Sequence, residues 1–145
     1  MISKTVLVVA GRLGETLSAA DVAHAIGRGL VAGGLSEPDL CPIAPSARRT
    51  PDVTALLKGL DFDARMHRSR AVVLCERRLQ ERTLRGSATF EIVTRARQGG
   101  VPAYAITGEN ALNLFDARML DLQVILEARN VRALTAAGRK LAQVV

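Results

Sequence analysis

Short apolar runs alternate with longer amphipathic segments from one end of this sequence to the other. Residues 5–10 form a continuous apolar run rich in β-branched side chains, which is typical of a strand covered on both faces. Comparable runs return at 39–43, 70–75, 101–107 and 122–127. Because strands that alternate with helices pair in parallel through right-handed crossovers, this pattern predicts a parallel sheet of five strands.

The segments between the apolar runs carry helix signals. Ser18 and Asp21 fit an acidic form of the capping box, and Val22, Ile26 and Leu30 follow at helical spacing. Further helices are predicted over 52–60, 87–97, 113–120 and 131–145. Together these elements predict one domain over 1–145 with a three-layer, doubly wound α/β fold. The expected type is Rossmann-like, of flavodoxin-like size, with strand order 2-1-3-4-5.

Composition agrees with a folded chain that has a sizeable core. Hydrophobic residues make up 48% and charged residues 23% of the sequence, which disfavours disorder. No apolar stretch approaches the ~18 residues of a membrane span, and the amino-terminal run is too short for a signal peptide. With two cysteines and no export signal, we expect a cytoplasmic protein with reduced thiols.

Arginine is concentrated in one part of the chain. Between Ala64 and Arg85 there are seven arginines, and Glu76 and Glu81 are the only acids. Clustered guanidinium groups suit anions that are held by two hydrogen bonds, such as phosphates or carboxylates. A solvated basic face is the favoured interpretation of the cluster, and a dedicated anion site is the alternative. A nucleic-acid surface lacks support from aromatic residues, which are 3% of the sequence.

The sequence lacks the motifs of several kinds of catalytic or metal-binding site. His24, His67, Cys41 and Cys75 do not have the spacing of a zinc site, and no G-x-S-x-G nucleophile motif occurs. His24 falls away from the apolar stripe of its helix, so a solvated side chain is expected. Cys75 ends a predicted strand near several arginines, but a buried and inert thiol is the favoured interpretation.

Ligands of doubly wound sheets bind at the carboxyl ends of the strands. The loops there are predicted at 11–17, 44–50, 76–86 and 108–111. The first contains Gly11 and Gly14 before a helix, a place that suits a phosphate, although neither dinucleotide nor P-loop spacing is present. A plain tight turn is the simpler interpretation of that loop.

Three segments carry a family resemblance. Residues 15–30, E-T-L-S-A-A-D-V-A-H-A-I-G-R-G-L, resemble the amino-terminal motif of two-domain bacterial glycerate kinases, D-S-F-K-G-[ST]-L-[ST]-A followed by V-A-x-A-I-x-x-G-L. Residues 72–88, V-V-L-C-E-R-R-L-Q-E-R-T-L-R-G-S-A, resemble that family's V-I-T-G-E-G-R-[LI]-D-x-Q-T-x-x-G-K-x. Residues 100–108, G-V-P-A-Y-A-I-T-G, resemble its G-V-P-V-x-A-I-x-G strand.

The resemblance implies ATP and Mg²⁺ as cofactors and an active site in a cleft between two domains. Those kinases are more than twice as long, and their second domain would be inserted near 60–69, where this chain has a short connection. The first-loop Asp and Lys of the family correspond to Gly11 and Gly14. In the second block the family's Asp, Gln and Lys correspond to Gln80, Arg82 and Ser87.

Phosphoryl transfer depends on metal ions and cationic groups that neutralise developing charge. Losing one such stabilising group commonly raises the activation free energy by ~2.7–4 kcal/mol. Independent catalysis is therefore not expected. No residue is therefore assigned as catalytic or as a metal ligand. The candidates for binding an anion or nucleotide are Glu76, Arg78, Arg82, Thr83, Gly86, Ser87 and Gly108.

The favoured function is a non-catalytic, single-domain relative of glycerate kinases that binds a small anion, a nucleotide or a protein partner. Binding would use the former active-site face, and a homodimer or heteromeric partner is expected to cover its apolar parts. One alternative is an ATP-dependent glycerate kinase that is active only when another chain completes the cleft. Another is polyanion or nucleic-acid binding through the Arg65–Arg85 region.

Overall fold

A computed structural model describes residues 5–43, 53–80 and 87–145 of the chain. Five parallel strands form one sheet: β1 (Thr5–Ala10), β2 (Asp39–Pro42), β3 (Ser69–Leu79), β4 (Ala103–Asn110) and β5 (Ile125–Glu127). Their order is β2-β1-β3-β4-β5, and every neighbouring pair is parallel. The predicted fold class and strand order are confirmed.

Helices cover both faces of the sheet, as right-handed crossovers between parallel strands require. The helices are α1 (Ala19–Ala32), α2 (Val53–Gly59), α3 (Phe62–His67), α4 (Ala88–Gln98), α5 (Leu114–Leu120) and α6 (Val131–Leu141). Two apolar cores result, one on each face. Alternate residues of the central strands enter one core or the other, so that Val8 and Val73 meet α1 and α6, whereas Leu7 and Val72 meet α2 to α5.

The amino-terminal end of α1 forms as its sequence predicts. Ser18 accepts a hydrogen bond from the Asp21 amide at 3.1 Å, and the Asp21 carboxylate accepts one from the Ser18 amide at 3.3 Å. This reciprocal pair satisfies two amides that the first turn of the helix leaves without partners. None of the described helices is long and apolar enough to cross a lipid bilayer.

Several element bounds differ from the prediction, and two of the differences lie close to functional positions. The strand predicted to stop at Cys75 continues to Leu79, because Glu76, Arg78 and Leu79 remain paired with β4 and Leu79 is fully buried. The connection near 60–69 contains α3, whose Phe62 enters the core. The extension of β3 could not be predicted from hydropathy, because the residues at 76–78 are charged. A strand segment at the carboxyl end of the sheet needs main-chain hydrogen bonds to its neighbour, but it does not need apolar side chains.

Candidate functional site

A crevice lies at the carboxyl edge of the sheet, beside the place where the strand order reverses between β1 and β3. It is a cavity of about 350 Å³, lined by Leu13, Gly14, Arg77, Gly108, Glu109 and Arg129. These residues come from the loop after β1, from the ends of β3 and β4, and from the segment after β5. The fold therefore brings together two of the loops expected to hold a ligand, together with the carboxyl end of β3.

The side chain of Arg12 holds the loop after β1 together. Arg12 donates from Nε to the carbonyl oxygen of Gly14 at 2.6 Å and from its terminal nitrogen to that of Glu15. Gly14 has a φ of 81°, a left-handed conformation that favours glycine. The amide of Gly11 donates to the Cys75 carbonyl oxygen at 3.0 Å, which ties the loop to β3. The Arg12 guanidinium is thus committed to main-chain oxygens.

Gly108 forms the floor of the crevice because no side chain fits there. A Cβ on Gly108 would lie 2.6 Å from the carbonyl oxygen of Arg77 and 3.0 Å from Cδ2 of Leu13. Its own carbonyl oxygen accepts a hydrogen bond from Nε of Arg129 at 2.8 Å. Gly108 was predicted as an anion contact, and the structure gives it a packing role at that place.

Two guanidinium groups line the crevice with different neighbours. Arg129 is held through Nε by the main chain, which orients the rest of its donor fork. Arg77 has no ion-pair partner within the described residues. The crevice acid, Glu109, lies 3.6 Å from the guanidinium of Arg78, with both side chains about half exposed. Because Glu109 is matched by Arg78, the remaining charge of the crevice is positive.

Glu76 lies on the other face of β3 and is bound inside the fold. Its carboxylate accepts a hydrogen bond from the Thr89 hydroxyl of α4 at 2.8 Å, and its strand neighbour in β4 is the fully buried Thr107. Thr107 in turn donates from its hydroxyl to the Glu109 carbonyl oxygen at 3.0 Å. The retained Glu76 therefore connects β3 to α4 and does not line the crevice.

Ser87 caps a helix. Its side-chain oxygen accepts a hydrogen bond from the Phe90 amide at 3.1 Å at the start of α4. Three other predicted contacts, Arg82, Thr83 and Gly86, lie outside the described residues. Of the seven candidates, Gly108 alone among the described ones lines the crevice, and Arg78 reaches it indirectly through Glu109.

The sequence patterns did not identify the two arginines of the crevice as candidates. Arg77 was counted only as a member of the arginine cluster, and Arg129 was not singled out. Arg129 follows the last strand by two residues, so the rule that ligands bind after parallel strands would have found it if β5 had been included.

The described members of the arginine cluster do not form one face. Arg65 holds Asp39 with two hydrogen bonds of 2.7 and 2.9 Å and also donates to the Leu40 carbonyl oxygen. The bond to Asp39 raises the pKa of the Arg65 guanidinium. Arg70 donates to the Val145 carbonyl oxygen at 2.8 Å, at the carboxyl end of the chain. Within the described residues, members of the cluster therefore take part in an ion pair, in a contact with Val145 and in the lining of the crevice.

Both thiols are buried, and for Cys75 this confirms the prediction. Burial raises the pKa of Cys75, and the neighbouring Glu76 carboxylate raises it further. The pKa of Cys41 is also raised by burial, which outweighs the opposing effect of Arg65. A thiol with a raised pKa stays protonated and is a poor nucleophile near neutral pH. His24 is exposed, in agreement with the solvated side chain that was predicted.

The carboxylates at this edge do not fit a magnesium site. Glu76 accepts from Thr89, Glu109 pairs with Arg78, and Glu127 accepts from the Asn110 amide at 2.9 Å. Mg²⁺ needs oxygen ligands converging in octahedral geometry, and these three carboxylates each have another partner. Within 5–43, 53–80 and 87–145, no cluster of three or more His, Cys, Asp or Glu residues is arranged to hold a metal.

Exposed apolar side chains occur on α5, which begins close to the end of β4. Leu114 is 82% and Phe115 70% exposed, and Met119 follows one turn later at 47%. These three side chains lie on a helix, and none of them lines the crevice.

Comparison with known proteins places this fold in a family. The model of the glycerate kinase family matches residues 21–143. This chain belongs to the glycerate kinase family. The match confirms the resemblance carried by the three sequence blocks, of which the first begins six residues before the matched range.

Two solved structures are similar to this glycerate kinase family domain. A diflavin flavoprotein A3 from Nostoc sp. is similar, with 13% identity and a TM-score of 0.52, over 98% of this chain and 94% of that chain. A Salmonella typhimurium LT2 structure described as a glycerate kinase 2 has 14% identity and a TM-score of 0.48 over 86% of this chain. This chain covers 36% of that longer chain. No curated protein matches the sequence.

Proposed function

We propose that this glycerate kinase family domain has no catalytic activity of its own and binds a small anion in the crevice at the sheet edge. The observation that carries the proposal is the pair Arg77 and Arg129, which line one cavity with the backbone of Gly14 and Gly108. The ligand class is a carboxylate or phosphate of the size of a three-carbon acid or the phosphate end of a nucleotide.

The charges support an anion. Arg129 is held by a carbonyl oxygen through one nitrogen only, so its terminal nitrogens remain able to donate to two oxygens of one ligand. Arg77 has no carboxylate within salt-bridge distance among the described residues.

The first loop and β3 support the absence of catalysis. The family's loop Asp and Lys correspond to Gly11 and Gly14, which carry no charged group. The buried Gly11 amide is used to join the loop to β3. The retained Glu76 accepts a hydrogen bond from Thr89 on the opposite face of the strand. A phosphoryl-transfer site needs metal-binding groups as well as cations directed at one point, and within the described residues this edge supplies two arginines but no metal-binding cluster.

Thermal unfolding with added ligands tests the proposal. The probes are pyrophosphate, D-glycerate and ATP, each with EDTA and with Mg²⁺. A ligand at 100 times its Kd adds ~2.7 kcal/mol, and each kcal/mol shifts the Tm by roughly 2–4 °C for a chain of this size. We expect a saturable shift with at least one anion, whether or not Mg²⁺ is present.

Variants locate the binding. Arg77→Ala and Arg129→Ala should each remove most of the shift, and Arg118→Ala on α5 serves as the matched control for the loss of one exposed arginine. No shift with any probe would contradict anion binding. Glycerate-dependent formation of ADP from ATP by the purified chain, lost in Arg77→Ala, would contradict the non-catalytic part.

Association with a second copy or another protein through this edge stays a prediction. The exposed Leu114, Phe115 and Met119 are the apolar side chains that such an interface would cover. Sedimentation at several concentrations measures self-association. A monomer at all concentrations would contradict a homodimer.

A further inference from the structure

The outer surface of α1 and α6 carries three arginines and shares no residue with the crevice. A shallow hollow of about 590 Å³ lies between the two helices and is lined by Arg28, Ala32, Arg132, Thr135, Ala136 and Arg139. The opposite faces of these helices, with Ile26, Leu30 and Leu134, are buried against the sheet. The hollow therefore lies on the solvent-exposed surface of this helical layer and is not a cavity in the core.

The three arginines of the hollow have no protein partner in the described part of the chain. Neither an ion pair nor a side-chain hydrogen bond engages Arg28, Arg132 or Arg139. No carboxylate lines the hollow; Asp21 and Glu37 line two adjoining hollows that share Arg28. This contrasts with Arg65, Arg78 and Arg95, each of which holds a carboxylate.

The floor between these arginines is small, apolar and rigid. Ala32 and Ala136 supply it, and the Thr135 hydroxyl is used inside its own helix, where it donates to the Val131 carbonyl oxygen at 2.9 Å. The helices beneath approach backbone to backbone, since a Cβ on Gly29 would lie 2.8 Å from the Arg139 amide nitrogen. A ligand would meet a preformed surface and lose little free energy in ordering it.

We infer that this hollow, which we call the α1–α6 groove, docks an acidic amphipathic helix of another protein. Three neighbouring guanidinium groups without a protein partner attract a negatively charged ligand. The alanine floor suits apolar side chains that lie between the carboxylates. A helix with acidic residues on the borders of an apolar stripe supplies both.

The spacing of the arginines fits such a helix. Arg132 and Arg139 are seven residues apart on α6, which corresponds to two turns and about 10 Å along one face. Carboxylates seven residues apart on a partner helix lying along α6 have the same spacing. Arg28 lies across the groove on α1 and can contact a third carboxylate on the other border of the stripe.

Other occupants fit less well. A second copy of this chain presenting the same groove would bring arginines against arginines, and the whole chain has a net charge of +6. A nucleic-acid backbone could contact the arginines, but the floor offers it no further hydrogen-bond donors. Phosphate contacts in proteins usually include hydroxyls and main-chain amides as well. Duplex DNA is therefore a comparison ligand in the test and not the proposed partner.

Fluorescence anisotropy with designed peptides tests the inference on the full chain. The probe is a labelled helical peptide of roughly 15 residues, long enough for marginal helicity, with a leucine and alanine stripe bordered by glutamates seven residues apart. A second peptide has the same composition in scrambled order, and a third has glutamine for glutamate. We expect binding of the first peptide and at least about tenfold weaker binding of the other two.

Variants separate the groove from general electrostatics. Arg132→Glu and Arg139→Glu, made singly, should each raise the Kd of the acidic peptide about tenfold or more. The matched control Arg118→Glu on α5 should leave it within about twofold, since long-range charge alone changes affinity little in salt. Ala136→Leu fills the floor without changing charge and should also weaken binding. Unchanged Tm values show that each variant is folded.

Four outcomes would overturn the inference. They are no binding of the acidic peptide at millimolar concentration, equal binding of the scrambled peptide, an equal loss in Arg118→Glu, and tighter binding of a DNA duplex that the groove variants abolish. The last would reassign the groove to nucleic acid. Because none of these variants changes a crevice residue, the anion-dependent Tm shift tests the proposed function independently.

Discussion

Gly138 of α6 lies directly against the Ile26 carbonyl oxygen of α1, so close that a Cβ at 138 would overlap it. The same Cβ would be 3.2 Å from the Cα of Gly29. Two glycines, one on each helix, therefore set the distance between the helices that cover one face of the sheet. This distance also fixes the width of the α1–α6 groove.

Gly138→Ala should destabilise the protein. Although alanine has the better helix propensity, its Cβ forces two backbones apart, and overpacking of this kind costs about 1–3 kcal/mol. Urea unfolding followed by circular dichroism measures the change in the free energy of unfolding. Gly59→Ala is the control, because nothing lies within 4 Å of a Cβ there and alanine should be neutral or stabilising. Equal effects at both positions would contradict the close approach.

Arg65→Lys should destabilise the protein even though the charge is kept. The guanidinium donates to both oxygens of Asp39 and to the carbonyl oxygens of Leu60 and Leu40, and an ammonium group cannot reproduce that fork. We expect a loss of about 1–3 kcal/mol in unfolding experiments. Arg68→Lys is the control because Arg68 is exposed. A loss no larger than that of the control would mean that charge alone matters at position 65.

Ser87→Ala should lower stability by about 1 kcal/mol and leave anion binding unchanged. The side chain caps α4 through the Phe90 amide, and it does not line the crevice. Denaturation gives the first quantity and the ligand-induced Tm shift gives the second. Loss of the ligand shift with unchanged stability would restore Ser87 as an anion contact and contradict its capping role.

Stability should fall at alkaline pH partly through Cys75. Burial raises the folded-state pKa above the ordinary value of 9.0, so the unfolded thiol ionises first as the pH rises. This contribution is complete below pH 9 and is lost progressively above it. The difference in unfolding free energy between the native chain and Cys75→Ala should therefore shrink from pH 7 to pH 10. A constant difference would contradict the raised pKa.

Thiol labelling provides a second measurement of the same buried cysteines. Cys41 and Cys75 should both react with a thiol reagent only at the rate of unfolding, because both are buried in the folded state. Fast labelling of Cys75 in the native protein would contradict its burial in β3.

Much of the architecture followed from local patterns. The continuous apolar run at Thr5–Ala10 and the helical stripe after Ser18 are each determined within a few residues, and both formed as predicted. Periodicity works there because the burial of each side chain repeats with the geometry of the element. The end of β3 was not predicted, because Glu76 and Arg78 are kept in the strand by β4 and not by their own hydropathy.

For the candidate site, too, one part followed from the sequence and another depended on the tertiary structure. The sequence alone determined that loops after parallel strands would meet at one edge, and that Gly108 would be among them. Only the tertiary structure decided which arginines remain available there: it pairs Arg65 with Asp39 and Arg78 with Glu109, while Arg77 and Arg129 line the crevice. The reason is physical, because the partner of a charged side chain lies across the fold, beyond the range of any local spacing.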